Sequence, residues 1–512
     1  MKNLLLTLLA AFVLAACLLA GASILLTSSV EDMAMDALSA QAGPQAELAV
    51  GSLKFSPISR ALVITDIRTR RNTPGGAVST SIPRFRGIVP VRCLLAQLPG
   101  ISSLLYGETS LVPVLERCRV DTPASTGAGL TFKAEKIAVG DVRLAYPLLR
   151  EYSAGNRPPY AQAVEGIYVS DVRIEKLALT QRSGRGSIRA NARSLTADAV
   201  HRGQADRLAF AGLTLEIAAE KKLSAGMAEF ENVFLAPLLL PEPPDRHSRN
   251  LAPADSLLDR LARRGIPAER LKVRNLSLPF EGGKAFAADE LAARWIPDPH
   301  AGPLPGGPGQ APAGREGSGR VVPAELHLRG GELPAAVLEQ AVGMKLSGME
   351  AIPLEGDMEC AGRKDEAPWL DVKGILRAGG LCDLSFAGAL SGERPEMKDT
   401  VLVLKDYSLT ARLAAGVSPD AHVTAMLLKA GAMSLCANDA GEQRRACMAI
   451  TQFIDQPGTI TVATRRGLAV SIERLVARAL TGSLGSLFDI TAQPGAFALT
   501  RQVDELSGRT PR

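Results

Sequence analysis

The residues able to do chemistry are few in kind and scattered along the chain. Seven cysteines occur, and one of them, Cys17, lies inside an apolar N-terminal run. The other six are Cys93, Cys118, Cys360, Cys382, Cys436 and Cys447. An even number in an oxidising compartment is consistent with disulfides. Sequential pairing is the preferred reading: Cys93 with Cys118, Cys360 with Cys382, and Cys436 with Cys447. The last pair has the best support, because Asn438-Asp439-Ala440-Gly441 between its members reads as a turn joining two helices. The alternative is that most are buried free thiols packing as small apolar side chains. No CxxC spacing is present, so neither a zinc ribbon nor a thioredoxin-like site is signalled.

The five histidines, His201, His247, His300, His327 and His422, have no partner at helical spacing and form no HExxH. No GxSxG elbow, GxxxxGKS/T loop or GxGxxG turn after a strand is found. Carboxylates are plentiful, yet without a fold to converge them no pair stands out from chance. The expected body is noncatalytic, with no catalytic residue, no metal and no cofactor.

What must position any site is an exported body. Met1-Lys2-Asn3 is followed by an uncharged apolar run from Leu4 to Leu26, which ends at Ser28, Ser29, Glu31 and Asp32. A membrane-spanning helix needs about 20 such residues. Thr7 and Ser23 can bond back to the helix's own carbonyls. Lys2 lies before the span and acidic residues follow it, so the expected orientation is a single pass with the body outside the cytoplasm. Leu14-Ala15-Ala16-Cys17 also matches a bacterial lipobox, in which a signal is cut before a Cys that becomes lipidated. The uncleaved anchor is preferred because Leu18 to Leu26 stay apolar where a lipoprotein normally begins with a polar tether. A wholly removed signal is the third alternative, and all three leave the body on the same side.

Composition narrows the classes of function. A net charge of +5 from 58 basic and 53 acidic residues, with 4% aromatics, lacks the basic face and stacking platform that nucleic acid requires, so none is expected as partner. Only Trp295 and Trp369 are present, which argues against a carbohydrate cleft.

Beyond Val30 to Gln41, which has helical propensity ended by Gly43-Pro44, the chain reads as strands. Leu53-Lys54-Phe55 and Leu62 to Arg68 are the first. A related phrase then recurs at a spacing of 30, Ile137-Ala138-Val139-Gly140-Asp141-Val142-Arg143-Leu144 and Ile167-Tyr168-Val169-Ser170-Asp171-Val172-Arg173-Ile174. In each copy the apolar residues change parity at the small-Asp pair. A period-2 strand changes its buried face only through an irregularity, so a β-bulge or sharp bend is expected there. The Asp and Arg are read as a solvated ion pair in preference to a ligand pair. Leu208 to Ile217, Ala228 to Leu240 and Leu271 to Phe280 continue the strand pattern.

Val91 to Leu105 and Asp255 to Arg264 carry apolar residues at helical spacing, the first broken by Pro99-Gly100. Pro297 to Arg320, rich in Pro and Gly, reads as a mobile linker or long loop and as the clearest domain boundary. The expected organisation is an anchor over 1–29, a proximal β-rich domain over 45–296, the linker over 297–320 and a distal α+β domain over 321–500. Within the last, strands are expected at Ala324 to Arg329, Trp369 to Arg377, Leu381 to Leu390, Val401 to Leu404, Leu409 to Leu413 and Thr459 to Ala463. Helices are expected at Leu333 to Val342, from Asp439 and Glu442 to about Ile454, and over Leu475 to Phe488.

The anchor followed by Gly51-Ser52-Leu53-Lys54-Phe55-Ser56-Pro57-Ile58-Ser59-Arg60-Ala61-Leu62-Val63-Ile64-Thr65-Asp66-Ile67-Arg68 and a long β-rich stretch resembles the AsmA-like and TamB-like bacterial envelope proteins. The YdgA-like anchored periplasmic proteins are similarly built. The resemblance covers mainly residues 1–110. It implies a mainly β fold with some α: an N-terminal transmembrane helix, then long twisted antiparallel sheets with capping helices, whose apolar inner face holds lipid acyl chains in the periplasm. It also implies attachment to the inner membrane through residues 4–26, a phospholipid ligand and envelope protein partners. A few dozen strands, each about 4.8 Å wide, would be needed to bridge two membranes, and this chain falls short of that.

Overall fold

The computed structural model describes residues 27–506 apart from 28–29, 33, 37, 40–45, 74–75, 96–105, 108, 128, 154–159, 184–185, 218–220, 235–267, 281–284, 298–320, 363–368, 392–395, 419, 435–440, 442–443 and 482. The expected span 4–26, Cys17, Cys436 and the helix expected over Asp255 to Arg264 lie outside the described residues. No helix among the described residues is long and apolar enough to cross a membrane. Strand outweighs helix, 60% to 23%, and every pairing is antiparallel, so the fold is mainly β. Two compact units divide the chain between Ala268 and Glu269.

The first unit contains β1 (Ala46–Ala49), β2 (Ser52–Ser56), β3 (Ala61–Thr73), β4 (Gly76–Ile88), β5 (Leu111–Asp121), β6 (Ala124–Gly127), β7 (Leu130–Lys133), β8 (Lys136–Ala145), β9 (Ile167–Val169), β10 (Val172–Ser183), β11 (Gly186–His201), β12 (Gln204–Ile217) and β13 (Lys221–Phe234). Short helices α1 (Val91–Leu95), α2 (Tyr146–Ser153) and α3 (Tyr160–Gly166) interrupt it. β1 and β2 both pair with β3, β5 and β6 both pair with β4, and β8 pairs with both β9 and β10. These segments join end to end, so the sheet is a meander of nine rungs in which each rung lies beside its sequence neighbours.

Two creases cross this sheet. Along the first, successive inward residues are three apart instead of two: Ile64 to Ile67, Ile174 to Leu177, Ala192 to Leu195, and Phe210 to Leu213. Inside three of these steps lie Asp66, Lys176 and Gly212, with φ of 53°, 50° and 61°. Along the second, Val139 to Val142, Val169 to Val172, Ala197 to Val200, Ala205 to Leu208 and Phe230 to Val233 show the same step, with Asp171, Ala199 and Asn232 at φ of 47°, 43° and 51°. A left-handed residue inserts the extra position of a β-bulge, so the same face stays inward across the bend. The irregularity expected from the repeated phrase is present at Asp171, where β9 gives way to β10.

The second unit is built likewise from β14 (Arg270–Pro279), β15 (Ala285–Pro297), β16 (Val321–Pro334), β17 (Ala351–Gly362), β18 (Trp369–Ala378), β19 (Cys382–Ser391), β20 (Glu396–Asp406), β21 (Thr459–Thr464), β22 (Val470–Ser471) and β23 (Phe488–Gln493). β14 to β20 form a meander, β21 and β22 add to β20, and β23 adds to β21. The helices are α4 (Ala335–Val342), α5 (Leu409–Val417), α6 (Ala421–Ser434), α7 (Arg444–Asp455), α8 (Ile472–Leu480) and α9 (Leu499–Leu506). Ala411, Ala414, Ala425, Ile454, Leu499 and Val503 bring α5, α6, α7 and α9 into one cluster.

Three expectations change. Residues 269–297 belong to the second unit, because β15 pairs with β16 across the Pro/Gly-rich segment, which joins neighbouring strands of one sheet and not two domains. Leu409 to Leu413 is helical: a window this short fits both periods, and its alanines favour helix while the Asp406 carboxylate accepts from the Thr410 amide at 3.0 Å. The helix expected over Leu475 to Phe488 ends at Leu480, and Phe488 opens β23.

Candidate functional site

Side chains alternate faces along a strand, so cross-strand partners share a face. In the first unit one unbroken line of such partners runs Leu53, Ile64, Phe85, Val120, Ile137, Ile174, Leu195, Phe210 and Ala228, crossing all nine rungs without a polar residue. Beyond the second crease a further line runs Leu115, Val142, Val169, Val200, Ala205 and Val233. The rings of Phe210 and Phe230, on neighbouring strands, meet edge to face with centroids 6.1 Å apart.

The second unit repeats the arrangement twice over. Val273, Leu291, Leu328, Gly356, Leu376, Leu384, Leu404, Ile460 and Ala492 form one line, and Leu271, Ala293, Leu326, Met358, Gly374, Phe386, Leu402, Val462 and Ile490 form the next. Nine strands at about 4.8 Å spacing give each line a length of about 38 Å.

Each face is covered at one end. In the first unit Val30, Ala34 and Leu38 pack with Cys93 over Phe55, Leu62 and Ile64. In the second, Phe453 of α7 packs with Ile460, Phe488 and Ile490. Burial is partial only in the middle of the lines: Ile137, Ile174, Leu195 and Phe210 are intermediate and Leu376 is 39% exposed, whereas both ends are buried, with Ile64 4%, Ala228 3%, Val233 0% and Val273 8% exposed.

The opposite faces carry charges interspersed with uncharged residues, in the first unit Val63, Ala138, Thr196 and Ala209. One residue along from the first line lie Lys54, Arg86, Arg119, Arg173 and Glu229. In the second unit Glu355, Arg377, Asp383 and Lys405 are successive cross-strand partners of alternating sign. His327 Nδ1 lies 2.8 Å from Asp357 Oδ1, and that hydrogen bond holds the Asp357 carboxyl below its ordinary range. Lys272, at 2.9 Å, does the same for Glu290. Such exposed pairs fix register and keep this face wet more than they stabilise it.

The cysteines contribute no site. Cys93, Cys118, Cys360 and Cys382 are free thiols, in place of the two disulfides expected among them. Cys360 faces Val372 and Cys382 faces Ala378 on the intervening β18, six residues apart, which is about 20 Å and far beyond disulfide reach. Cys93 packs from α1 into the core with Val89, while Cys118 lies in β5 against Gly87. Burial pushes the Cys93, Cys118 and Cys382 thiols up to about 11. Cys447 in α7 is disulfide-bonded, and Cys436, its expected partner, lies outside the described residues. Among the described residues no group of three metal-ligating side chains converges. The chain matches no protein-family model, no curated protein and no solved structure.

Proposed function

We propose that this chain is a membrane-anchored periplasmic protein of the bacterial envelope that holds lipid acyl chains against the apolar faces of its sheets and passes them along. The observation that carries the reading is the run of apolar partners across every rung, partly exposed in its middle. Monomeric proteins rarely leave so long an apolar surface open to water without a ligand or partner for it. A bilayer core of about 30 Å holds two acyl chains end to end, so a line of about 38 Å exceeds the length of one chain at least twofold. The resemblance of residues 1–110 to AsmA-like envelope proteins points the same way, as does the apolar run at Leu4 to Leu26.

A photo-crosslinking residue at Phe210 or Leu384 in the full chain, activated in membranes, tests it. Lipid adducts from these two positions, with none from Arg173 or Arg377 on the charged faces, support the reading. Equal labelling from both faces, or no lipid from either, overturns it.

A second reading, a scaffold for envelope proteins, is favoured by α6. Val423, Met426, Leu427 and Met433 stand on its outer side, with Met426 68% exposed. Exposed methionines of this kind adapt to protein surfaces.

A further inference from the structure

At the rim of the first unit, where β3 and β5 begin and β8 ends, a cavity of about 380 Å³ opens. Five charged side chains line it: Arg60, Arg92, Arg143, Glu116 and Asp141. Val91 and Leu111, both exposed, add an apolar wall. Glu116 and Asp141 are direct cross-strand partners, and like charges so placed destabilise a sheet. Arg143 offsets this in part, with Nη2 3.5 Å from Asp141 Oδ2, while its guanidinium also lies 5.3 Å from the centre of the Tyr168 ring. Among the described residues no carboxylate forms an ion pair with Arg60 or Arg92. The cavity therefore sets two guanidinium groups without a carboxylate partner among the described residues beside two carboxylates, of which Asp141 is paired with Arg143.

We propose that this cavity binds a zwitterion carrying both a phosphate and an amine, and that the phosphoethanolamine head group of a lipid is its occupant. The phosphate sits against Arg60 and Arg92, whose planar donors suit it. The amine sits between Glu116 and Asp141 and relieves their repulsion. The proposal rests on the lipid reading above: Leu115 and Val142, next in sequence to these carboxylates, lie on the opposite, apolar face, which the chains would reach over the rim. Rim position suits a head group, which stays hydrated while its tail does not.

The test uses the full chain in detergent, incubated with vesicles of equal phosphatidylethanolamine and phosphatidylglycerol, with retained lipid measured by mass spectrometry. The parent should enrich phosphatidylethanolamine roughly fivefold, the worth of one exposed ion pair. E116Q/D141N, which removes a repulsion and so should fold at least as well, should lose the enrichment while retaining the same total lipid. Enrichment that survives in the double variant, or that is absent from the parent, overturns the proposal. A parent that retains no lipid at all overturns the acyl-chain reading instead. In that case calorimetric binding of free O-phosphoethanolamine, lost in R60A/R92A, keeps the cavity as a site for the soluble zwitterion, and its absence removes the cavity as well.

Discussion

The Gly140 amide donates to the Ser170 carbonyl at 3.1 Å, and the Ser170 amide returns a bond to the Asp141 carbonyl at 2.9 Å. The two copies of the repeated phrase are thus paired with each other, antiparallel, about their own parity change. Gly140 fits because a Cβ there would stand 2.8 Å from Ser170 Oγ. Asp171, beside this pair, carries the left-handed backbone that moves the next inward residue from Val169 to Val172.

Asp171 is therefore the position at which backbone conformation alone should govern stability. A left-handed conformation costs most side chains about 1–2 kcal/mol, more for a β-branched one and nothing for glycine. Asp171→Gly should leave the urea midpoint unchanged or raise it, and Asp171→Ile should lower it. The reverse order would remove the crease as the explanation of the parity change.

Thiol chemistry gives the second prediction. With burial pushing the Cys93 and Cys118 thiols up to about 11, an aromatic disulfide reagent near neutral pH should react with neither in the folded chain. In denaturant without reductant, Cys93, Cys118, Cys360 and Cys382 should all react. Protection of any of the four in denaturant would restore one of the disulfides expected from the sequence.

How much of this was legible follows from which quantities a sequence carries. The repeated phrase displays its three-residue step because Ile, Val and Leu mark both parities. In β12 and β13 the same step is blurred, since Ala205, Gly212, Ala225 and Ala228 are small enough to sit on either face. The lines across the sheet could not be read at all, because they depend on the register of each pair; register also decides that Cys360 and Cys382 stay apart. Helix α6 is hard to see in the sequence because it is apolar nearly all round, although Asp420, which accepts from the His422 amide at 2.9 Å, is a start signal in plain view.

Asp406 supplies a pH dependence. It is buried at the start of α5, with Oδ2 bonded to Thr410 and Oδ1 without a partner among the described residues. Burial, the largest influence, pushes its carboxyl above the ordinary 3.8. The folded chain then keeps this proton to higher pH than the unfolded chain does. The carboxyl accordingly costs nothing at acid pH, costs stability as pH rises past 3.8, and costs it in full above the raised folded value. Asp406→Asn keeps an acceptor for Thr410 and cannot ionise. Its urea midpoint relative to the parent should therefore rise as the pH climbs above 3.8. A constant difference across that range would mean that Asp406 does not titrate with folding.

The apolar lines predict an asymmetry between the two faces of one strand pair. Phe210 on β12 faces Leu195 on β11 within the first line, while Thr196, one residue further along β11, faces Arg173 on the charged side. Phe210→Asp places a carboxylate among Leu195, Ala228 and the Phe230 ring, where it lacks a partner and desolvates on any lipid contact. Thr196→Asp places the same charge beside Arg173, where it is neutralised in water. Lipid retained by the full chain should fall several-fold in the first variant and stay unchanged in the second. Both should keep the far-ultraviolet signature of the sheet, because Phe210 is only half-buried and its loss leaves the backbone ladder intact. Equal loss in both variants would trace retention to bulk charge, and the apolar face would no longer be needed to account for it.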